Sequence, residues 1–190
     1  MADLLIPDLL IVVGAATPPG RLAAAMAAAA AMAGQAETIN LADAGIEICD
    51  GRPDDAYNDA TRAAVAQLTA ARSVLIAAPV YRASYPGVLK NLLDIAPVVA
   101  LQNKPVGIVA MGGSPHHYLA VDTQLRAVLA WFGALVAPTG IYLTGGDFKD
   151  GKLASEGALK DIAALVDTLA KLRALDPASL GPKPLAARFT

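Results

Sequence analysis

With one cysteine, Cys49, the chain can form no disulfide of its own. Its fold must be held by a packed core, and a reducing compartment suits it. Cys49 sits in an acidic stretch with nothing beside it in sequence to favour a thiolate, so it reads as inert. There are two histidines, adjacent at His116 and His117, and no carboxylate or cysteine stands at ligand spacing from them, so no metal centre is expected. Charged residues make up 17% of the chain and the net charge is -2. The lysines and arginines are scattered, which leaves no basic stripe for nucleic acid. No apolar run reaches about 18 residues without glycine, proline or charge, so no membrane span is expected. The alanine-rich stretch 22–33 comes nearest but is too short and weakly apolar. Asp3 and Asp8 stand where a secretory leader carries basic residues, which points to the cytoplasm.

What the chain does have is apolar surface. Hydrophobic residues reach 55% and the mean hydropathy is +0.48, more than one small domain needs to cover itself, so association into a dimer or tetramer is expected. At 190 residues a single domain is expected, placed at 1–175, with a tail at 176–190. That tail holds three prolines and no helical period, and reads as loose or as an arm packed on a neighbour.

Strand and helix patterns alternate about five times, which predicts an α/β fold with a doubly wound parallel sheet. The strands fall at 9–14, 36–41, 73–79, 105–111 and 134–143. The helices fall at 19–34, 59–71, 86–95, 117–133 and 155–172. Pro19 near a first turn and Gly34 at an end bracket the first helix. The segment 43–59 is acidic and irregular. In the fourth helix Val121, Leu125, Val128, Leu129 and Phe132 recur at spacings of three and four.

Open sheets of this kind bind ligands at the carboxyl ends of their strands. Three such loops carry special residues. The first, 14–21, has Gly14, Thr17, Gly20 and Arg21 ahead of a helix whose free amides and dipole suit an anion, although Pro18 and Pro19 have no amide proton to give. The second follows the apolar run 73–78, which reads as a strand buried on both faces, and carries Pro79, Val80, Tyr81, Arg82, Ala83 and Tyr85 before the turn-formers Pro86 and Gly87. The third has Gly112, Gly113, Ser114, His116 and His117.

The run Pro79-x-Tyr81-x-x-x-Tyr85-x-Gly87-x-Leu89-Lys90-x-x-x-Asp94 resembles the NADPH-dependent FMN reductases of the flavodoxin-like superfamily. That resemblance implies a five-stranded parallel sheet in the order 2-1-3-4-5, with FMN at the three loops. Backbone amides from Val80 to Ala83 would face the pyrimidine and N5 edge, and Tyr81 or Tyr85 would offer a flat surface to a ring. Arg82 would attract an anionic dinucleotide. The glycines at 112 and 113, with Ser114, would bring the backbone close to the ring and aim amides at its N1 and O2 region. His116 or His117 would lie near the flavin edge. In the first loop the family reads Gly-Ser-x-Arg-x-x-Ser, whereas this chain has Ala15, Thr17 and Gly20 at the serine, arginine and serine places. Only Thr17 and Arg21 remain to meet a phosphate, which implies loosely held FMN.

The segment Leu119-Ala120-Val121-Asp122-x-x-Leu125-x-x-Val128-Leu129 is similar to the reductases of alkanesulfonate-type two-component systems. This implies a π-bulge at a subunit interface, with Thr123 in the place of its usual aromatic residue. Lys90 and Asp94, four apart on the third helix, are spaced to pair and read as organising a subunit interface. The implied activity is an NAD(P)H-dependent FMN reductase using NADPH or NADH, with reduced FMN passed to a flavin-dependent monooxygenase. Hydride transfer between stacked rings requires no protein acid or base, so no catalytic side chain is expected. The rivals are a quinone, azo-dye or metal-ion reductase with resident FMN, a flavodoxin-type electron carrier, and a paralogue that has lost flavin. Carriers resemble Thr-x-Thr-Gly-x-Thr in the first loop and are strongly acidic, and this chain has neither feature.

Overall fold

Near-continuous aliphatic runs form the middle of the sheet. In β1 (Leu9–Val13), β3 (Val74–Pro79) and β4 (Pro105–Met111) almost every residue is buried, as expected of parallel strands covered on both faces. At one edge, β2 (Ala36–Asn40) buries only Ile39. The computed structural model describes residues 6–17, 20–176 and 180–188. All pairings in the main sheet are parallel, and the order is β2-β1-β3-β4 followed by a fifth position, as the flavodoxin-like resemblance implies.

Alternate strand residues face opposite layers. Leu9, Ile11 and Val13 pack on α1 (Arg21–Met32) and α5 (Glu156–Arg173) through Met26, Ile162 and Leu165. Leu10, Val12 and Ile76 face α2 (Asp59–Ala70), α3 (Gly87–Ile95) and α4 (Ala120–Phe132), meeting Leu68, Leu92 and Leu125. Among the described residues no helix is long and apolar enough to cross a membrane.

The fifth strand is not the single run 134–143. It is two short pieces, β5 (Leu135–Val136) and β6 (Ile141–Leu143), both paired with β4. The interruption has an identifiable cause on α4. Arg126 grips Asp122 through two bonds, Nε to Oδ2 at 2.7 Å and Nη2 to Oδ1 at 3.0 Å. Its Nη2 also donates to the carbonyls of Ala137 and Pro138 at 3.0 and 3.2 Å. Gly140 lies so close that a Cβ there would sit 2.5 Å from Asp122 Oδ1. Ala137 N still donates to Val106 O at 2.8 Å, and Arg126 then takes the carbonyls of Ala137 and Pro138 where the chain leaves the ladder. α4 itself is regularly α-helical from Ala120 to Phe132, without the π-bulge the resemblance implies. The Thr123 hydroxyl instead donates back to the Leu119 carbonyl at 2.8 Å.

The acidic segment is irregular as expected, with a short helical turn at Asp54–Ala56, and it is pinned: Asn91 on α3 donates to Glu47 O and accepts from Cys49 N, both at 2.8 Å. Arg52 binds both carboxylate oxygens of Asp50 and stands 5.0 Å over the Tyr57 ring, and its guanidinium holds the Asp50 carboxyl down at about 2. The tail is not loose where it is described. Pro184 packs on Gly133, the left-handed residue that ends α4, and the turn Leu185–Arg188 also lies by α4, so 184–188 rests against its own chain. Residues 177–179 and 189–190 fall outside the described residues.

A hairpin, β7 (Phe148–Lys149) and β8 (Lys152–Leu153), precedes α5. Below the sheet, buried Lys104 donates to the Leu68 and Thr69 carbonyls at 2.6 and 2.9 Å, satisfying the last turn of α2. Burial pushes its ammonium down to about 8 from 10.5. Between those values the unfolded chain binds more protons than the folded one, so this group makes stability rise with pH, by at most about 1.4 kcal/mol per pH unit. Lys104→Met is expected to cost about 1–2 kcal/mol at neutral pH by stripping two carbonyls of their donor. Urea unfolding from pH 7 to 10.5 checks this: the gap between wild type and variant should widen with pH, and parallel curves would refute the buried-ammonium account.

Candidate functional site

Pairing of Pro79 with Met111 aligns the carboxyl ends of β3 and β4, and the loops that follow them gather with those after β1 and β6 at one edge of the sheet. Each loop is tied to its neighbours by backbone bonds. Gly14 N donates to Ala77 O at 2.7 Å, Val80 N to Met111 O at 2.8 Å, and Gly112 N to Leu143 O at 3.0 Å.

In the first loop, Gly14 is buried, and a Cβ there would meet Leu89 of α3 at 3.0 Å. Its smallness serves helix packing. Gly20 is the N-cap of α1 and offers no side-chain cap, and the first turn holds no acidic residue. Thr17, Gly20 and Arg21 are exposed. Among the described residues Arg21 has no ion-pair or hydrogen-bond partner, and nothing accepts from the amides of Arg21 and Leu22. Pro18 and Pro19 lie outside the described residues.

The second loop is a tight turn. Tyr81 N donates to Ser84 O at 2.7 Å and Ser84 N to Tyr81 O at 2.9 Å, which closes a two-residue loop over Arg82 and Ala83. Both central residues have positive φ, 51° and 63°. Such a turn normally uses Asn-Gly, and the left-handed region costs a residue with a Cβ about 1–2 kcal/mol. The expectation of four amides facing a ligand is therefore too generous. Those of Val80 and Tyr81 are bonded within the protein, and among the described residues only those of Arg82 and Ala83 have no acceptor. The Tyr81 ring is 42% exposed, while Tyr85 packs partly into the core and burial pushes its hydroxyl up. Lys90 and Asp94 on α3 do form the expected ion pair.

In the third loop, Gly112 is imposed by Tyr142, a residue the sequence reading passed over. A Cβ at Gly112 would fall 1.8 Å from the Tyr142 hydroxyl, which donates to Ser114 O at 2.7 Å. Burial pushes that hydroxyl up. Gly113 has open space, and among the described residues nothing accepts from the amides of Gly113 and Ser114. His116 and His117 are exposed in a short turn, Pro115–His117, followed by exposed Tyr118 and Leu119.

A fourth loop, also unread in the sequence, follows β6. Asp147 Oδ2 accepts from Thr144 N at 2.7 Å and from Thr144 Oγ1 at 3.1 Å, closing a capped turn. The Thr-x-x-Asp spacing around Gly145-Gly146 was its available signal. A Cβ at Gly145 would fall 2.9 Å from Arg21 Nη1, which places the guanidinium of the first loop against the fourth. Among the described residues the edge therefore presents backbone amides without acceptors, an exposed tyrosine and a cation without a partner, a set suited to an anionic, flat ligand.

Comparison with known proteins bears on this edge. The family model for NADPH-dependent FMN reductase matches residues 7–149. An NAD(P)H-dependent FAD/FMN reductase of Geobacillus thermodenitrificans is 37% identical over 106 residues, 56% of this chain and 57% of that protein. The chain spans about half the length of the curated relatives it matches. Among solved structures, the apo form of the NADH:FMN oxidoreductase EMOB is 25% identical with a TM-score of 0.68, covering 91% of this chain and 93% of that one. A flavodoxin from the domain Archaea, 13% identical with a TM-score of 0.61 over 87% of this chain and 99% of that one, shares the fold.

Proposed function

The chain belongs to the NADPH-dependent FMN reductase family, and from that premise we propose that it is an NAD(P)H-dependent FMN reductase that takes up and releases FMN at the carboxyl edge of the sheet. The observation that carries this reading is that, among the described residues, one edge of the sheet holds amides of the second and third loops with no acceptor and, at the start of α1, an Arg21 with no partner. These residues fit the group. Arg82, Ala83, Gly113 and Ser114 offer amides to the polar edge of an isoalloxazine, Tyr81 offers a ring face, and Arg21 with Thr17 and the Gly20 cap meets the phosphate. Bound FMN supplies the hydride-accepting chemistry, with NADPH or NADH as donor. The chain's own part is to hold and orient. Donors at residues 113 and 114 favour negative charge on the ring, and Arg82 draws in an anionic dinucleotide. His116 and His117 line the outer rim, with Pro79, Val80 and Tyr85 as the frame of the second loop, and Gly14 and Gly112 allow the close packing of Leu89 and Tyr142 beneath the edge.

In this reading, residues 1–175 form one domain with a tail at 176–190, working in the cytoplasm as a dimer or tetramer. Support for assembly comes from α3 and α4, which flank an open cleft of about 540 Å³ lined by Leu93, Val128 and Trp131, the last 56% exposed. Reduced FMN would go to a flavin-dependent monooxygenase, as the likeness of 119–129 to two-component reductases suggests.

Flavin as a substrate that leaves each cycle makes a kinetic prediction. NAD(P)H oxidation by stripped protein should saturate with free FMN, and Arg21→Ala should weaken FMN at least about tenfold, since a charge-assisted bond is worth about 1.5–3 kcal/mol. Protein that purifies with stoichiometric FMN and speeds up with a quinone acceptor, but not with more FMN, would instead be the resident-flavin reductase.

A further inference from the structure

We propose that the turn after β6, residues 144–147, is a positioning device for Arg21: Gly145 sets where the guanidinium rests, and Thr144 keeps Asp147 from capturing it. This rests on the reading of Arg21 as the phosphate cation. Three observations carry it. The guanidinium lies against the bare Cα of Gly145, where a single added carbon would stand 2.9 Å from Nη1. Gly145 does not have a positive φ, so the backbone itself has no need of glycine there. The carboxylate two residues on, Asp147, is turned into its own loop by two bonds from Thr144 and makes no ion pair with Arg21.

An exposed arginine beside a free carboxylate would pair with it and be lost to a phosphate. Locking Asp147 into the Thr144 cap leaves the cation free. Omitting a Cβ at Gly145 lets it lie in one place ahead of α1, where the helix amides also point. In the first loop only Thr17 and Arg21 offer side chains to a phosphate, and this fourth loop gives that cation a defined seat.

The test compares FMN with riboflavin, which lacks only the phosphate, by calorimetry or flavin fluorescence on the full chain. Gly145→Ala should weaken FMN about fivefold through loss of one well-placed charged bond and leave riboflavin unchanged. Its melting temperature should match wild type, because only the far end of a flexible side chain has to move. In an Arg21→Ala background the same change should have no further effect on FMN. Thr144→Val should lower the preference for FMN in the same direction, and adding Asp147→Asn should restore it, which keeps the question answerable if the Gly145 variant folds poorly. Wild type that binds both flavins equally would overturn both the phosphate reading and this one. Wild type that prefers FMN, with Gly145→Ala and Thr144→Val indistinguishable from it, would overturn this proposal alone.

Discussion

Gly112→Ala is expected to cost about 3 kcal/mol or more, which places it among the most damaging single substitutions in the chain. The new Cβ would fall 1.8 Å from the Tyr142 hydroxyl oxygen and 2.8 Å from Cζ. Neither side can yield cheaply. Tyr142 is held by its bond to Ser114 O, and the Gly112 amide by Leu143 O. Removing the hydroxyl does not open enough room, because Cζ is itself too close, so Tyr142→Phe should not rescue the variant. Tyr142→Ala should. Denaturant unfolding of the two single variants and the double one gives the coupling directly. Gly112→Ala/Tyr142→Ala should be about as stable as Tyr142→Ala alone, and simple addition of the two losses would mean that the ring does not set the glycine.

Arg126→Ala is expected to cost about 3 kcal/mol, and its effect should be read at the fifth strand. Asp122 is only 15% exposed and Arg126 30%. Truncation leaves a largely buried carboxylate without its partner and removes the donor from the carbonyls of Ala137 and Pro138. Arg126→Lys should recover little, since one ammonium cannot hold a carboxylate in a fork and reach two carbonyls as well. Asp122→Asn should do less harm, because no uncompensated anion remains. Hydrogen exchange should show residues 135–143 opening first in the alanine variant. A loss under about 1 kcal/mol, or exchange unchanged there, would show that the pair is ornamental to the strand.

How much of this was legible in the sequence depended on how local the cause was. The central strands were plain because β1, β3 and β4 are aliphatic throughout, and a run buried on both faces announces itself. The three loops were found because they follow those strands, and their family likeness lies in contiguous residues. What escaped was set by residues distant in sequence. The break at 137–140 has a local mark in Pro138, but Arg126 and Asp122 on another element hold its carbonyls, and the order in 46–50 is made by Asn91 on α3. Gly112 could be seen as special, but Tyr142, the reason for it, lies 30 positions away. The bonded state of the Val80 and Tyr81 amides was hidden for a different reason. Arg-Ala is a poor sequence for a turn with two left-handed residues, so nothing signalled that the loop closes on itself.

That closure also leaves the chain room to gain stability. An Asn-Gly pair at 82 and 83 would relax two strained residues, so a lineage pressed by heat alone has an inexpensive improvement within a few base changes. The same change would discard the exposed Arg82 guanidinium. A thermal-tolerance screen without an activity requirement should therefore drift early to Arg82→Asn and Ala83→Gly, at a cost to whatever the guanidinium holds.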